Sequence, residues 1–81
     1  MKQQTIRKCI LEKVQQRGLR KSICPSEVAR DLVGDAWREL MPVVRLVGLA
    51  LAEEGKIVVT QQGQVVDPLV AKGAIRYRIA K

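Results

Sequence analysis

The apolar positions change their spacing along the chain, and each change marks a different kind of element. Over residues 5–17, Ile6, Cys9, Ile10 and Val14 recur at i, i+3, i+4 and i+8, which lines one face of a helix. Arg7, Lys8, Glu12, Gln15 and Gln16 take the opposite, solvated face, and Gly18 supplies the stop. Ser22-Ile23-Cys24 reads as a short extended piece, because a residue that precedes a proline, here Pro25, is pushed out of the helical region.

Pro25 opens a second helix at the position where its missing N–H costs nothing, and Glu27 in the first turn favours the positive end of the helix dipole. Val28, Ala29, Leu32 and Val33 give this helix a buried face, and Gly34 ends it. Asp35 is expected to cap a third helix over 36–54, with Trp37, Leu40, Val44, Val47 and Leu51 turned to the core. Pro42 removes the hydrogen bond to the Arg38 carbonyl, so a kink, or a break that restarts near Met41, is expected there.

After Gly55 the period falls from that of a helix to two, the period of a strand. Residues 56–61 form the first strand, Gln62-Gly63-Gln64 the turn, and Val65 and Val66 return alongside. Asp67-Pro68 reads as the cap and first residue of a single helical turn over 69–72, closed by Gly73. A last strand over 74–79 points Ile75, Tyr77 and Ile79 one way and Arg76 and Arg78 the other.

Helix, strand, helix, helix, strand, strand is the order of a winged helix. The expected fold is therefore α+β: three helices plus a C-terminal β-hairpin, with a short strand before the second helix. At 81 residues, with no repeat or linker, the chain has room for one domain over 1–81.

The stretch Ser22-Ile23-Cys24-Pro25-Ser26-Glu27-Val28-Ala29-Arg30 is followed by Trp37-Arg38, Met41-Pro42, Glu54-Gly55-Lys56-Ile57, Thr60-Gln61, Val66-Asp67-Pro68 and Gly73-Ala74-Ile75-Arg76. Together these motifs resemble a bacterial family of small proteins catalogued as a domain of unknown function, across residues 5–79. The resemblance implies a winged-helix fold and supplies no functional residues to carry over. More broadly, Pro25-Ser26-Glu27-Val28-Ala29 is similar to the start of the second helix in many winged-helix transcription regulators.

Charge narrows the choice of partner. The net charge is +7, which points to an anionic partner such as nucleic acid. Residues 1–21 carry seven Lys or Arg against Glu12 alone, and residues 72–81 carry four against none, whereas 22–71 hold four basic and seven acidic residues. The positive field therefore belongs to the first helix and the last strand.

The chain has no histidine, and Cys9 and Cys24 are too few donors for a structural zinc site. Both read as buried thiols, which suits a reducing cytoplasm. The N-terminal residues lack the apolar stretch of a secretory signal, and the apolar run 46–52 is too short to span a bilayer, so a soluble cytoplasmic protein is expected.

Without histidine, a phosphate loop or a spaced carboxylate pair, no catalysis and no cofactor are expected. Cys24 is the one reactive candidate. Its place at a helix N-terminus near Arg20 and Lys21 would favour a thiolate, against the plainer reading of a structural cysteine.

In winged-helix readers the third helix enters the major groove while the hairpin touches the neighbouring backbone. Here Arg38 and Arg45 stand seven residues apart on one helix face, about 10 Å along the axis, and either could read guanine or hold a phosphate. Each could equally pair with Glu39, Glu53 or another carboxylate. Pro42, Gly48, Leu49 and Ala52 beside them are poor base readers, and so apolar a helix suits self-association as well.

Stronger basic features lie elsewhere. Arg17, Arg20 and Lys21 cluster at the entrance to the second helix, whose N–H groups at Ser26 and Glu27 suit a phosphate. Arg76 and Arg78 project from the last strand, and Gln61, Gln62, Gln64 and Lys72 decorate the wing. Trp37 and Tyr77, the only large aromatics, are assigned to the core, which disfavours a single-strand binder.

The expectation is a small module that contacts double-stranded DNA largely through phosphates. The alternative is a protein-interaction or homodimerisation module that uses the apolar face of the third helix, and an RNA-associated role is a third.

Overall fold

Helix α1 (Gln3–Arg17) buries Ile6, Cys9, Ile10 and Val14, the four positions that its periodicity singles out. It ends at Gly18, which takes a φ of 96° and donates its N–H to the Val14 carbonyl. These elements come from a computed structural model that describes residues 1–80; Lys81, part of the basic C-terminal stretch, lies outside the described residues.

Helix α2 (Pro25–Val33) starts at its proline and buries Pro25, Val28 and Ala29. The expected break before the next helix is replaced by a bend. A single 3-10 turn over Gly34–Ala36 leads straight into α3 (Trp37–Glu53), so that α2 and α3 are two arms of one bent helical run. Asp35 sits within that turn and does not cap α3, whose N-cap position is Ala36.

Pro42 neither breaks nor restarts α3, which passes through it unbroken. Pro42 and Arg38 both face solvent, so water can serve the carbonyl that the proline leaves without an N–H. Of the expected core stripe, Val44 and Leu51 are fully buried and Val47 nearly so, while Leu40 and Trp37 lie at the core's margin.

Strands β1 (Ile57–Gln61), β2 (Gln64–Val65) and β3 (Arg76–Ile79) form one antiparallel sheet in the order β2-β1-β3. Gln62 and Gly63, with φ of 51° and 81°, make a two-residue turn between β1 and β2. Positive φ at both positions matches the twist of the flanking strands. Thr60 faces Val65 across it, and the Val66 N–H still reaches the Val59 carbonyl at 3.0 Å.

On its other side β1 pairs with β3 over four positions, from Ile57 opposite Ile79 to Thr60 opposite Arg76. The last strand is therefore shorter than expected and starts at Arg76. Asp67 caps a single turn as expected, its carboxylate accepting from Leu69 and its carbonyl from Val70 and Ala71, but the turn spans 68–70 and not 69–72.

Ile23 bridges Tyr77 through two backbone hydrogen bonds of 2.7 and 2.8 Å. The extended piece before α2 thus exists, reduced to one residue that adds a further rung beside β3. Beneath it lies the core. Ile6, Ile10, Val14, Ile23, Val28, Val44, Leu51 and Tyr77 are all fully buried or within a percent of it.

The Tyr77 ring lies directly against Gly48 of α3, where any Cβ would collide with the phenol. Glycine is required there by close approach. Its backbone keeps the ordinary helical conformation, since Gly48 is absent from the positive-φ positions.

Candidate nucleic-acid interface

The basic residues divide into those that hold the fold together and those left free. At the entrance to α2, Arg17 donates to the Ser22 carbonyl at 3.0 Å and to Glu27 Oε1 at 2.7 Å. From the far end of the chain Arg76 donates to Ser22 Oγ at 2.6 Å and to the Ser22 carbonyl at 2.9 Å, and it lies 4.0 Å from Glu27 Oε2. The Cys24 N–H donates to the same carboxylate at 2.7 Å.

Glu27 is thus a hub that joins α1, α2 and β3. Burial pushes its carboxyl up, but the Cys24 N–H and the guanidiniums of Arg17 and Arg76 outweigh burial and hold it below the ordinary glutamate value. One consequence is electrostatic. The N-terminus of α2, read from the sequence as a place for phosphate, already holds a carboxylate of its own helix.

Ser26 is half-buried there, with its Oγ 3.0 Å from Cys24 Sγ. Both thiols are free, Cys9 buried and Cys24 half-buried. Burial raises the Cys9 thiol above its ordinary value, Lys13 opposes the rise, and Asp31 adds to it. Arg20 and Lys21, on the same loop, are exposed and make no ion pair or side-chain hydrogen bond among the described residues.

Arg45 of α3 meets the loop between β2 and β3, donating to the Gly73 carbonyl at 3.1 Å. Gln61 holds the same loop by donating to the carbonyls of Lys72 and Ala74. The exposed face of α3 and residues 72–74 therefore form one continuous surface. Lys72, Gln62 and Gln64 are exposed, and Arg78 on β3 is half-buried.

Arg38 does not pair with Glu39, Glu53 or any other described carboxylate. Its guanidinium lies over the Trp37 ring, 4.5 Å from the centre, and Arg30 of α2 lies over the same ring at 4.4 Å. The sequence does not single out Arg30, because nothing in its spacing ties it to a tryptophan seven residues on and across a bend. Trp37, expected in the core, is half-buried, its ring covered by two cations.

The remaining ion pairs join α1 to its neighbours, Arg7 with Glu54 at 2.5 Å and Lys13 with Asp31 at 3.5 Å. A shallow apolar cleft of about 320 Å³ lies between the end of α3 and the sheet; Ala52, Ile57, Val65 and Pro68 are among its lining residues, none of which is charged. Among the described residues no helix is long and apolar enough to cross a membrane.

No curated protein matches the sequence. Over residues 3–80 it matches the family described as "Protein of unknown function (DUF3253)", and the chain belongs to that family.

Proposed function

We propose that the protein is a winged-helix module that binds double-stranded DNA, largely through phosphates. The rung order Ile23, β3, β1 supports the fold reading, with α2 and α3 as the helix-turn-helix pair and residues 62–75 as the wing. One observation carries the functional reading. Arg45 joins α3 to the Gly73 carbonyl of that wing, so helix and wing present a single face to a duplex.

Exposed Arg20, Lys21, Arg38 and Lys72, without ion-pair partners among the described residues, supply positive charge to the module. Arg17, Ser26 and Arg76 take a supporting part. Their contacts fix the entrance of α2 and leave the neighbouring cations to reach phosphate.

Titrating a labelled random-sequence duplex at two salt concentrations tests this. Affinity that falls steeply with salt is the expected result, because each neutralised phosphate releases counterions. No binding at low salt defeats the reading.

A second reading, self-association through α3, draws on Leu46, which stands 60% exposed beside exposed Pro42 and Ala50. Sedimentation would reveal it as a concentration-dependent dimer. A strict monomer removes it.

A further inference from the structure

Arg30 and Arg38 are brought to one ring from two arms of the bent helical run, and neither has an ion-pair partner among the described residues. Acidic side chains are at hand in sequence. Asp31 follows Arg30 but lies against Lys13, Asp35 stands three residues before Arg38, and Glu39 follows it. Both guanidiniums nonetheless take the indole.

Stacking fixes a guanidinium by its face and leaves its in-plane N–H fork free, and that fork matches phosphate in a way an ammonium does not. The two positive charges are held no farther apart than the sum of their distances to the ring centre, 4.4 and 4.5 Å. They repel each other at that separation, and an anion that reaches both relieves the repulsion. The separation is also less than the width of a major groove, about 12 Å, so the pair suits one stretch of backbone and not the two walls of a groove.

We propose that Arg30, Trp37 and Arg38 form a phosphate clamp at the bend between α2 and α3, gripping the DNA backbone at the end of α3 opposite Glu53. The clamp rests on the DNA reading above. It extends that reading to Arg30 and gives the half-buried tryptophan a part in binding.

Trp37 is the sole tryptophan of the chain, so its emission reports on this point alone. The full-length protein is titrated with a random-sequence duplex while both the duplex label and the tryptophan are followed, at several salt concentrations. The expected result is a change in Trp37 emission with the same midpoint as the label. Arg30→Gln is expected to weaken binding roughly tenfold and to lower the slope of log affinity against log salt by about one.

Arg30→Lys keeps the charge without the planar fork, and it should restore the slope while recovering only part of the affinity. Binding by the label with silent tryptophan emission and an unchanged Arg30→Gln affinity overturns the clamp and leaves DNA binding standing. Absence of duplex binding by the unaltered protein overturns both.

Discussion

The entrance to α2 and the bend between α2 and α3 each gather two arginines around one side chain, yet the two places treat charge in opposite ways. At the entrance, Arg17 and Arg76 converge on Glu27 and Ser22, and their donors are engaged within the fold. At the bend, Arg30 and Arg38 converge on a neutral ring and keep their donors free. A net charge of +7 therefore overstates what a partner meets at one place and hides it at the other. What matters is the chemistry at the centre: a carboxylate consumes cations, and an indole orients them.

The largest test of the comparison acts from below. Ile23, just before the Glu27 hub, is fixed to Tyr77, and the Tyr77 ring rests on Gly48. Gly48→Ala, which in an ordinary helix interior stabilises by about 1 kcal/mol, should here destabilise by about 2 kcal/mol through overpacking against the phenol. A thermal melt reads the sign. Stabilisation would mean that Tyr77 yields easily, and the entrance would lose its rigid floor.

The same tyrosine gives the entrance a pH limit. Burial pushes the Tyr77 phenol up to about 12, with Arg45 opposing the rise and Cys24 adding to it. The folded state thus holds this proton more tightly than the unfolded chain, whose tyrosine titrates near 10. Its contribution is complete below pH 10 and is lost as pH rises from 10 towards 12, by on the order of 2 kcal/mol.

Tyr77 is the sole tyrosine, so Tyr77→Phe isolates this loss from the titration of lysines. Among the described residues the Tyr77 hydroxyl has no hydrogen-bond partner. The variant should therefore be about 1 kcal/mol more stable at neutral pH and should fall less between pH 10 and 12. Equal losses in both proteins would place the alkaline transition elsewhere.

Much of this was legible in the sequence, and the misses have one cause. Periodicity found Ile6, Cys9, Ile10 and Val14 on α1, and alternation found Tyr77 between Arg76 and Arg78, since each pattern follows from the local geometry of a single element. Gly34 and Asp35 have the chemistry of a stop and a new cap, yet three residues of 3-10 turn carry the helix around a bend. A pattern that separates α2 from α3 cannot show the pairing of Arg30 with Trp37.

Arg76 failed to declare its role for a similar reason: its partner Ser22 lies 54 residues away in sequence, and charge counting cannot see a contact at that distance. Trp37 falls on one helical stripe with Leu40, Val44, Val47 and Leu51, and that stripe cannot show that Arg30 reaches its ring from the other arm.

Glu27→Gln breaks the entrance more gently than Gly48→Ala. It keeps a side chain that can accept from the Cys24 N–H, and it removes the charge that Arg17 and Arg76 share. These groups are partly exposed, so about 1 kcal/mol is expected. Because the folded Glu27 lies below its ordinary value, its contribution is present above the unfolded value and is lost as pH falls through the folded one. Melting temperature followed from pH 6 to pH 3 should therefore drop more for the unaltered protein than for Glu27→Gln. Parallel curves would show that the carboxylate does no more there than an amide.

The finest contrast sets one arginine from each place side by side. Arg76→Ala removes two hydrogen bonds to Ser22 and should lower stability by about 1 kcal/mol, with little change in the salt dependence of duplex binding. Arg38→Ala removes only an exposed stacking contact, worth about 0.5 kcal/mol, but it should lower that salt slope by about one. A melt and a salt titration thus rank the two variants in opposite orders if the carboxylate and the indole sort the cations as described. Should Arg76→Ala lower the slope while Arg38→Ala leaves it alone, the entrance of α2 would be the place that meets phosphate, with Glu27 giving up its arginines to the incoming anion.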